Sequence, residues 1–366
     1  MVNNIRSALK RNLLTVMLLA AALGLAHVLS QPLSLFPSMV DWDTIITLTG
    51  LILITTGIRE SGFFYLFAYR ISRRINNERL LAMFLVFLAA ILSMFLTNDI
   101  ALFIVVPLTL TLQQIVEDDY SKIIIFEAIA VNAGSSLTPI GNPQNIFLWH
   151  QWGVSFPVFV KAMAPLVSIM SVGLFVMILI CFPPKQIRIV NNHHLVVDRA
   201  LFLLSSVLLI MFAVSVELQF EKYFLIITFF SILLTRRSVI LKSDWGFVFL
   251  FITIFIDLHL ICQLQAVNRL FAMLDFSKTR TLFLSGALFS QAFSNVPAAI
   301  ILFNYSTNFK IIAYAVNVGA NGCMFGSFAN LIALRLSKKT PTCLSFHLYS
   351  LPYFMVTFAL SYCLLI

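Results

Sequence analysis

Residues 131–145 read VNAGSSLTPIGNPQN and residues 316–330 read VNVGANGCMFGSFAN, so the pattern V-N-x-G, six residues, G, three residues, N occurs twice at a constant offset of 185. Each copy lies within a long apolar stretch, yet each is crowded with Gly, Asn and Ser, residues that break helices and offer hydrogen-bonding groups. In lipid, backbone polar groups must be satisfied internally, and a break survives only where protein or an aqueous cavity takes up the freed N–H and C=O groups. Paired interruptions at matching places in two halves of a chain point to the substrate site of a secondary transporter.

The rest of the composition fits that frame. A chain of 366 residues that is 60% hydrophobic and 11% charged, with mean hydropathy +0.97, is not a water-soluble fold. It is expected to be an all-α polytopic membrane protein. The first apolar segment, 12–30, follows Arg6, Lys10 and Arg11, is long enough to span, and has no small-x-small cleavage site before Gln31, so it reads as a retained helix. The 36 Phe supply lipid-facing and packing bulk. A net charge of +9 is expected to reflect basic cytoplasmic loops rather than a nucleic-acid partner. Five Cys, at 181, 262, 323, 343 and 363, have no C-x-x-C spacing and read as small core residues.

With spans of about 20 apolar residues in view, helices are expected near 12–30 and 43–58, followed by a basic amphipathic connector, 59–79. Two arms then meet at the polar tip 97–99. An interrupted helix, 121–148, and an uninterrupted one, 156–182, complete an N-terminal repeat, 1–182, whose break covers 132–145. A polar linker, 183–198, and an additional helix, 199–220, lead to a C-terminal repeat, 221–366, with tip 294–296 and break 317–330. Asp-Trp pairs at 41–42 and 244–245 open equivalent helices. The additional helix makes the number of crossings odd, so the second repeat is expected to enter from the opposite side, giving inverted topology. The segments that this places inside hold 18 of the 24 basic residues, which sets the N-terminus and the linker in the cytoplasm and the C-terminus outside.

FLTNDIALFIVVPLTL at 95–110, followed by IFEAIAVNAGSSLTPIGNPQNIFLW at 125–149, resembles the ion transporter superfamily. That group includes the membrane subunits of arsenite pumps, a class of bacterial sodium/proton antiporters and the divalent-anion/sodium symporters; the likeness is greatest to its small, permease-like inner-membrane members. The resemblance runs from Asp41 onward. It implies a scaffold and a moving transport domain, an elevator-like displacement, a homodimer, and a location in the bacterial inner membrane. In the symporter branch the paired motif reads Ser-Asn-Thr and binds sodium with the carboxylate. Here it reads Thr97-Asn98-Asp99 and Ser294-Asn295-Val296, a departure that argues against a dicarboxylate.

The chemistry of these residue types supports the same reading. Tips and breaks expose carbonyls that bind cations, while half-helix N-termini present N–H groups to anions. The expected substrate and ion ligands are Thr97, Asn98, Asp99, Asn132, Gly134, Ser135, Thr138, Gly141, Asn142 and Asn145 in the first half. In the second half they are Ser294, Asn295, Asn317, Gly319, Asn321, Gly326, Ser327 and Asn330, with a sodium ion expected near Asn98 and Asp99. A carboxylate deep in a span marks an ion or proton path; Asp99 is the foremost, with a helix cap as its other role, and no acidic counterpart exists at Val296. Glu127, Asp257 and His259 are candidates for a proton relay. Glu60 reads as an interfacial partner of Arg59, and His193 and His194 as solvated linker residues. No H-E-x-x-H, G-x-S-x-G or phosphate-loop motif is present, so neither enzyme activity nor ATP coupling within this chain is expected. No cofactor is expected beyond a sodium ion or proton as coupling ion. The expected function is a sodium- or proton-coupled transporter of a small anion, oxyanion or metalloid hydroxide. A sodium/proton antiporter using Asp99 is the alternative, and a non-transporting structural membrane protein a remote one. The orientation is directly testable: a periplasm-active reporter fused to the C-terminus is expected to be active and a cytoplasm-active one silent, and the reverse pattern would mean a miscounted span.

Overall fold

Apolar runs bounded by Pro, Gly or a capping side chain become helices throughout. The computed structural model describes residues 2–116, 118–187, 197–218, 220–265, 269, 273–337 and 343–366, without the side chains of 2–14, 65, 72, 217, 258 and 262. Among these residues every regular element is helical, and the only paired extended backbone is an antiparallel bridge between Asn77 and Gln186. In chain order the helices are α1 (Val2–Val28), α2 (Trp42–Glu60), α3 (Phe63–Arg74), α4 (Glu78–Phe95), α5 (Asn98–Val116), α6 (Ser121–Ser135), α7 (Pro143–Trp152), α8 (Phe156–Cys181) and α9 (Arg199–Glu217). There follow α10 (Glu221–Thr235), α11 (Arg237–Lys242), α12 (Trp245–Cys262), α13 (Thr279–Phe293), α14 (Asn295–Phe303), α15 (Phe309–Gly319), α16 (Phe328–Leu336) and α17 (Cys343–Leu365). Among the described residues α4, α5, α8, α9 and α17 are each long and apolar enough to cross a membrane, and Thr15–Val28 joins them if counted with the 3-10 turn Leu33–Met39, bent 117° from it.

The helices sort into two compact units that do not coincide with the sequence repeats: 1–61 with 199–274, and 62–198 with 275–366. Each repeat therefore contributes its opening helices to one unit and its tip and break to the other. In the first unit the tryptophans of the two Asp-Trp pairs play one role, although Asp41 caps its helix with its side chain and Asp244 does not. The indole of Trp42 donates to the Pro37 carbonyl at 2.8 Å and that of Trp245 to the Ile240 carbonyl at 2.9 Å, each five residues upstream. Helix α2 lies against α9, with Gly50 facing the Phe212 ring and Gly57 facing Ser205. Glu60 pairs with Lys242 as well as with Arg59.

In the second unit α4 packs along α6 and α13 along α15, so each hairpin lies beside its own broken helix. The contact is close because the facing residue is glycine. A Cβ on Gly319 would stand 2.6 Å from the Ala287 carbonyl, and one on Gly134 would collide with the carbonyl of Ala90, the residue 197 positions earlier than Ala287. The second arms cross over: α5 packs on α16, and α14 on α7. Helices α8 and α17 pair, Tyr353 donating to the Met170 carbonyl at 2.8 Å.

Several expected boundaries move. The first break is confined to 136–142, because Asn132, Gly134 and Ser135 are still helical in α6 and Asn145 already lies in α7; the second runs over 320–327 and contains a 3-10 turn, Met324–Gly326. Helix α1 begins at Val2 rather than near residue 12. Cys343 and Cys363 are exposed and Cys181 and Cys323 only half-buried, so these four are not core residues, and the side chain of Cys262 lies outside those described. His193 and His194 lie outside the described residues, as does most of the polar linker.

The glycine contact predicts a stability contrast. Gly134→Ala forces a methyl against the Ala90 carbonyl and is expected to cost about 1–3 kcal/mol. Gly24→Ala, with nothing within 4 Å, is expected to be neutral or stabilising. Melting temperatures of the two purified variants give the comparison, and equal values would contradict the packing.

Candidate functional site

Each break is closed by an asparagine that belongs to the half-helix following it. Asn142 caps α7, its side-chain oxygen accepting from the Asn145 amide at 2.9 Å, with Pro143 in the first helical position where no N–H is needed. Asn145 then turns back and donates to the carbonyls of Ser135 (3.4 Å), Ser136 (3.2 Å) and Thr138 (3.1 Å) at the end of α6. The second break repeats this at the same offset of 185. Ser327 caps α16, accepting from the Ala329 amide at 3.2 Å, and Asn330 donates to the carbonyls of Ala320 (2.8 Å) and Cys323 (3.1 Å). The backbone groups freed by breaking each helix thus find side-chain partners.

The two breaks are also joined to each other. Asn132 donates to Asn330 at 2.9 Å, and Asn317 donates to Asn145 at 2.8 Å. Exchanging the two sequence motifs turns one bond into the other. The Asn317 side-chain oxygen additionally accepts from Ser136 (3.0 Å), Asn142 (3.1 Å) and Gln144 (3.2 Å). Asn132, Ser136, Asn142, Gln144, Asn145, Asn317 and Asn330 are all at most 2% exposed. A buried network with this many shared donors and acceptors fixes one arrangement of the two half-helix pairs.

The hairpin tips border this network and differ from each other. Thr97 caps α5, accepting from the Ile100 amide at 3.4 Å, and the Asn98 amide donates to the Gly141 carbonyl at 2.9 Å, which ties the first tip to its break. Thr138 adds a bond to the Met94 carbonyl at 2.7 Å. Asp99 is not the cap: it lies in the first turn of α5 with Oδ1 buried and without a partner. At the second tip Ser294 has φ +72°, and the amide nitrogen of Asn295, a residue 2% exposed, is buried without a partner. Gln291 closes the second break in a way the first lacks, donating to the Gly319 carbonyl at 2.5 Å and accepting from the Cys323 amide. Among the described residues Asn132 Oδ1, Gln144 Oε1 and Asn321 Oδ1 are likewise buried without partners. Each such group costs about 1–3 kcal/mol if nothing binds it.

Of the residues expected from the sequence, those on both breaks and both tips come together within one compact unit. Asn321 donates to Met170 Sδ at 3.7 Å and to the Asn317 carbonyl at 3.4 Å. Gly141 and Gly326 sit where a Cβ would press on the Ser135 and Gly319 carbonyls. The relay candidates do not join them. Glu127 is fully buried in α6, and its carboxylate accepts from Thr109 of α5 at 2.5 Å, two helical turns before the break. Asp257 and His259 belong to the other unit; two residues apart on α12 they face different ways, Asp257 buried with neither oxygen bonded and His259 exposed, so they form no pair. Two participants escaped sequence reasoning. Gln144 stands inside the G-N-P-Q-N motif and was readable there, whereas Gln291 signals itself only as a polar residue in an apolar arm. Among the described residues no three His, Cys, Asp or Glu gather as they would around a metal ion.

The relatives of the chain include proteins named as an inner membrane protein and as a transporter. It is 41% identical over 351 residues to the inner membrane protein YbiR of Escherichia coli K12, a match that covers 96% of this chain and 94% of that one. It is 32% identical over 311 residues to the uncharacterized transporter MJ0456 of Methanocaldococcus jannaschii, covering 84% of each. The human P protein matches at 30% identity over 173 residues, 45% of this chain and 20% of that protein. The profile of the citrate transporter family matches residues 5–319. With its broken helices, polar tips and membrane-spanning helices, this chain is a membrane transporter that belongs to the citrate transporter family.

Proposed function

We propose that this transporter is a secondary active carrier of a small anion, oxyanion or metalloid hydroxide, driven by a sodium or proton gradient. The observation that carries this reading is the kind of polar atom left over at each tip. At the first tip the unpartnered atom is an acceptor, Asp99 Oδ1, with Asn132 Oδ1 and Gln144 Oε1 beside the first break and Asn321 Oδ1 in the second, whereas at the second tip it is a donor, the amide nitrogen of Asn295. Acceptors and a carboxylate suit a cation or proton. A donor at the start of α14, where the helix dipole is positive, suits an anion. No enzymatic step is assigned to these residues, and no cofactor beyond the coupling ion.

The division of each repeat between two compact units supports an elevator-like movement of the unit bearing the site, in a homodimer with inverted repeats in the bacterial inner membrane. The chain passes from one unit to the other at Gly62, whose φ of +80° only glycine adopts readily. The N-terminus is assigned to the cytoplasm and the C-terminus to the outside. One observation favours a second reading, a sodium/proton antiporter: Asp99 is the single acidic residue at either tip, and no basic residue stands at the tips or breaks to hold an anion.

Reconstituted vesicles separate these readings. Under imposed sodium and proton gradients with a panel of anions, wild-type protein is expected to accumulate at least one anion, and Asp99→Asn to fold normally but lose gradient-driven uptake by about 100-fold. Asn295→Ala is expected to raise the KM for the anion roughly tenfold, the loss of one hydrogen bond to a charged group. Gradient-dependent uptake unchanged by Asp99→Asn would overturn the role given to that carboxylate. Cation exchange with no anion dependence would establish the antiporter instead.

A further inference from the structure

Helix α3 carries a polar face that the transport site does not use. Twelve residues long, FFYLFAYRISRR, it is too short to span and begins immediately after the Gly62 turn. Phe64, Ala68 and Ile71, at helical spacing, are buried, and the helix packs on α5, the helix that starts at the first tip. The opposite face is basic and aromatic. Arg70, Arg73 and Arg74 are exposed and have no ion pair among the described residues, and Phe67 is 36% exposed and stacked on Phe63 at 6.1 Å. Arg73 lies over the Tyr69 ring at 6.0 Å from its centre.

A helix with one face buried in protein and a wet face of Arg, Tyr and Phe is what an interface between hydrocarbon and headgroups selects: aromatic rings sit at headgroup level and guanidinium groups meet phosphates. Three of the five basic residues of 59–79 lie on α3, and no acidic residue lies within it. The positive-inside bias puts this segment at the cytoplasmic leaflet, whose anionic lipids attract each nearby Lys or Arg. We propose that the outer face of α3, with Arg70, Arg73 and Arg74 as its charged ligands and Phe67 and Tyr69 as its headgroup-level anchors, is a docking surface for anionic phospholipid headgroups. Because α3 rests on α5, lipid bound there steadies the helix that bears Asn98 and Asp99.

The test uses full-length protein in mixed micelles and measures melting temperature, so it is independent of any transport assay. Phosphatidylglycerol is expected to raise the melting temperature of wild-type protein by several degrees, while phosphatidylcholine and inorganic phosphate leave it unchanged. The combined R70Q, R73Q and R74Q variant is expected to melt like wild type in phosphatidylcholine but to need roughly 100-fold more phosphatidylglycerol for the same rise, about fivefold per arginine. The corresponding triple Lys variant is expected to keep the response, and high salt to abolish it. An equal response in the triple Gln variant and wild type would overturn the proposal. So would an equal rise with phosphatidylcholine, a rise with inorganic phosphate that matches the lipid, or a response unaffected by salt.

Discussion

Two asparagine-to-asparagine hydrogen bonds, Asn132 to Asn330 and Asn317 to Asn145, join the two helix breaks of this protein. A helix broken inside a membrane frees carbonyls at one end and amides at the other, and water is not there to satisfy them. Here the asparagine that follows each break takes the carbonyls of its own helix, and its remaining oxygen is taken by an asparagine that precedes the other break. Neither break is complete without its partner. The same bonds that make the interruptions tolerable therefore bring the two halves of the site face to face.

The symmetry of that frame makes its departures informative. Ser93 and Ser290, Asn98 and Asn295, and the glycines against Ala90 and Ala287 correspond one to one. Asp99 corresponds to Val296, and Met94 to Gln291. In one half the asparagine bonds that hold the break are joined by main-chain and hydroxyl bonds to the tip, with a carboxylate nearby. In the other the Gln291 side chain is added to them, and the atom left open at the tip is an amide donor. The two halves thus end in unlike polar groups at matching positions.

Much of this was legible in the sequence, because the signals are local. Gly and Asn in apolar runs announce the breaks, a constant offset announces the duplication, and Asp41-Trp42 and Asp244-Trp245 announce equivalent helix starts. What escaped depends on contacts distant along the chain. The compact units could not be read, since each draws helices from both repeats and burial partners are not encoded by spacing. The breaks are narrower than the motifs because Asn132 and Gly134 keep their helical backbone bonds while their side chain or bare Cα serves a neighbour. The proposed relay of Asp257 with His259 failed on periodicity: two positions along a helix turn a side chain through about 200°, so the pair cannot share a face.

The central claim is that both breaks form one site at which a cation or proton and an anion bind together. The measurement that tests it most directly is the melting temperature of the purified protein as anion is titrated at fixed sodium and again at fixed pH, because binding to the native state stabilises by mass action. If the account is correct, sodium or a lower pH steepens the stabilisation by the anion, and the anion in turn steepens that by the coupling ion, since coupling between two ligands is reciprocal. Stabilisation by anion and ion that simply adds, with no effect of either on the affinity for the other, would contradict it.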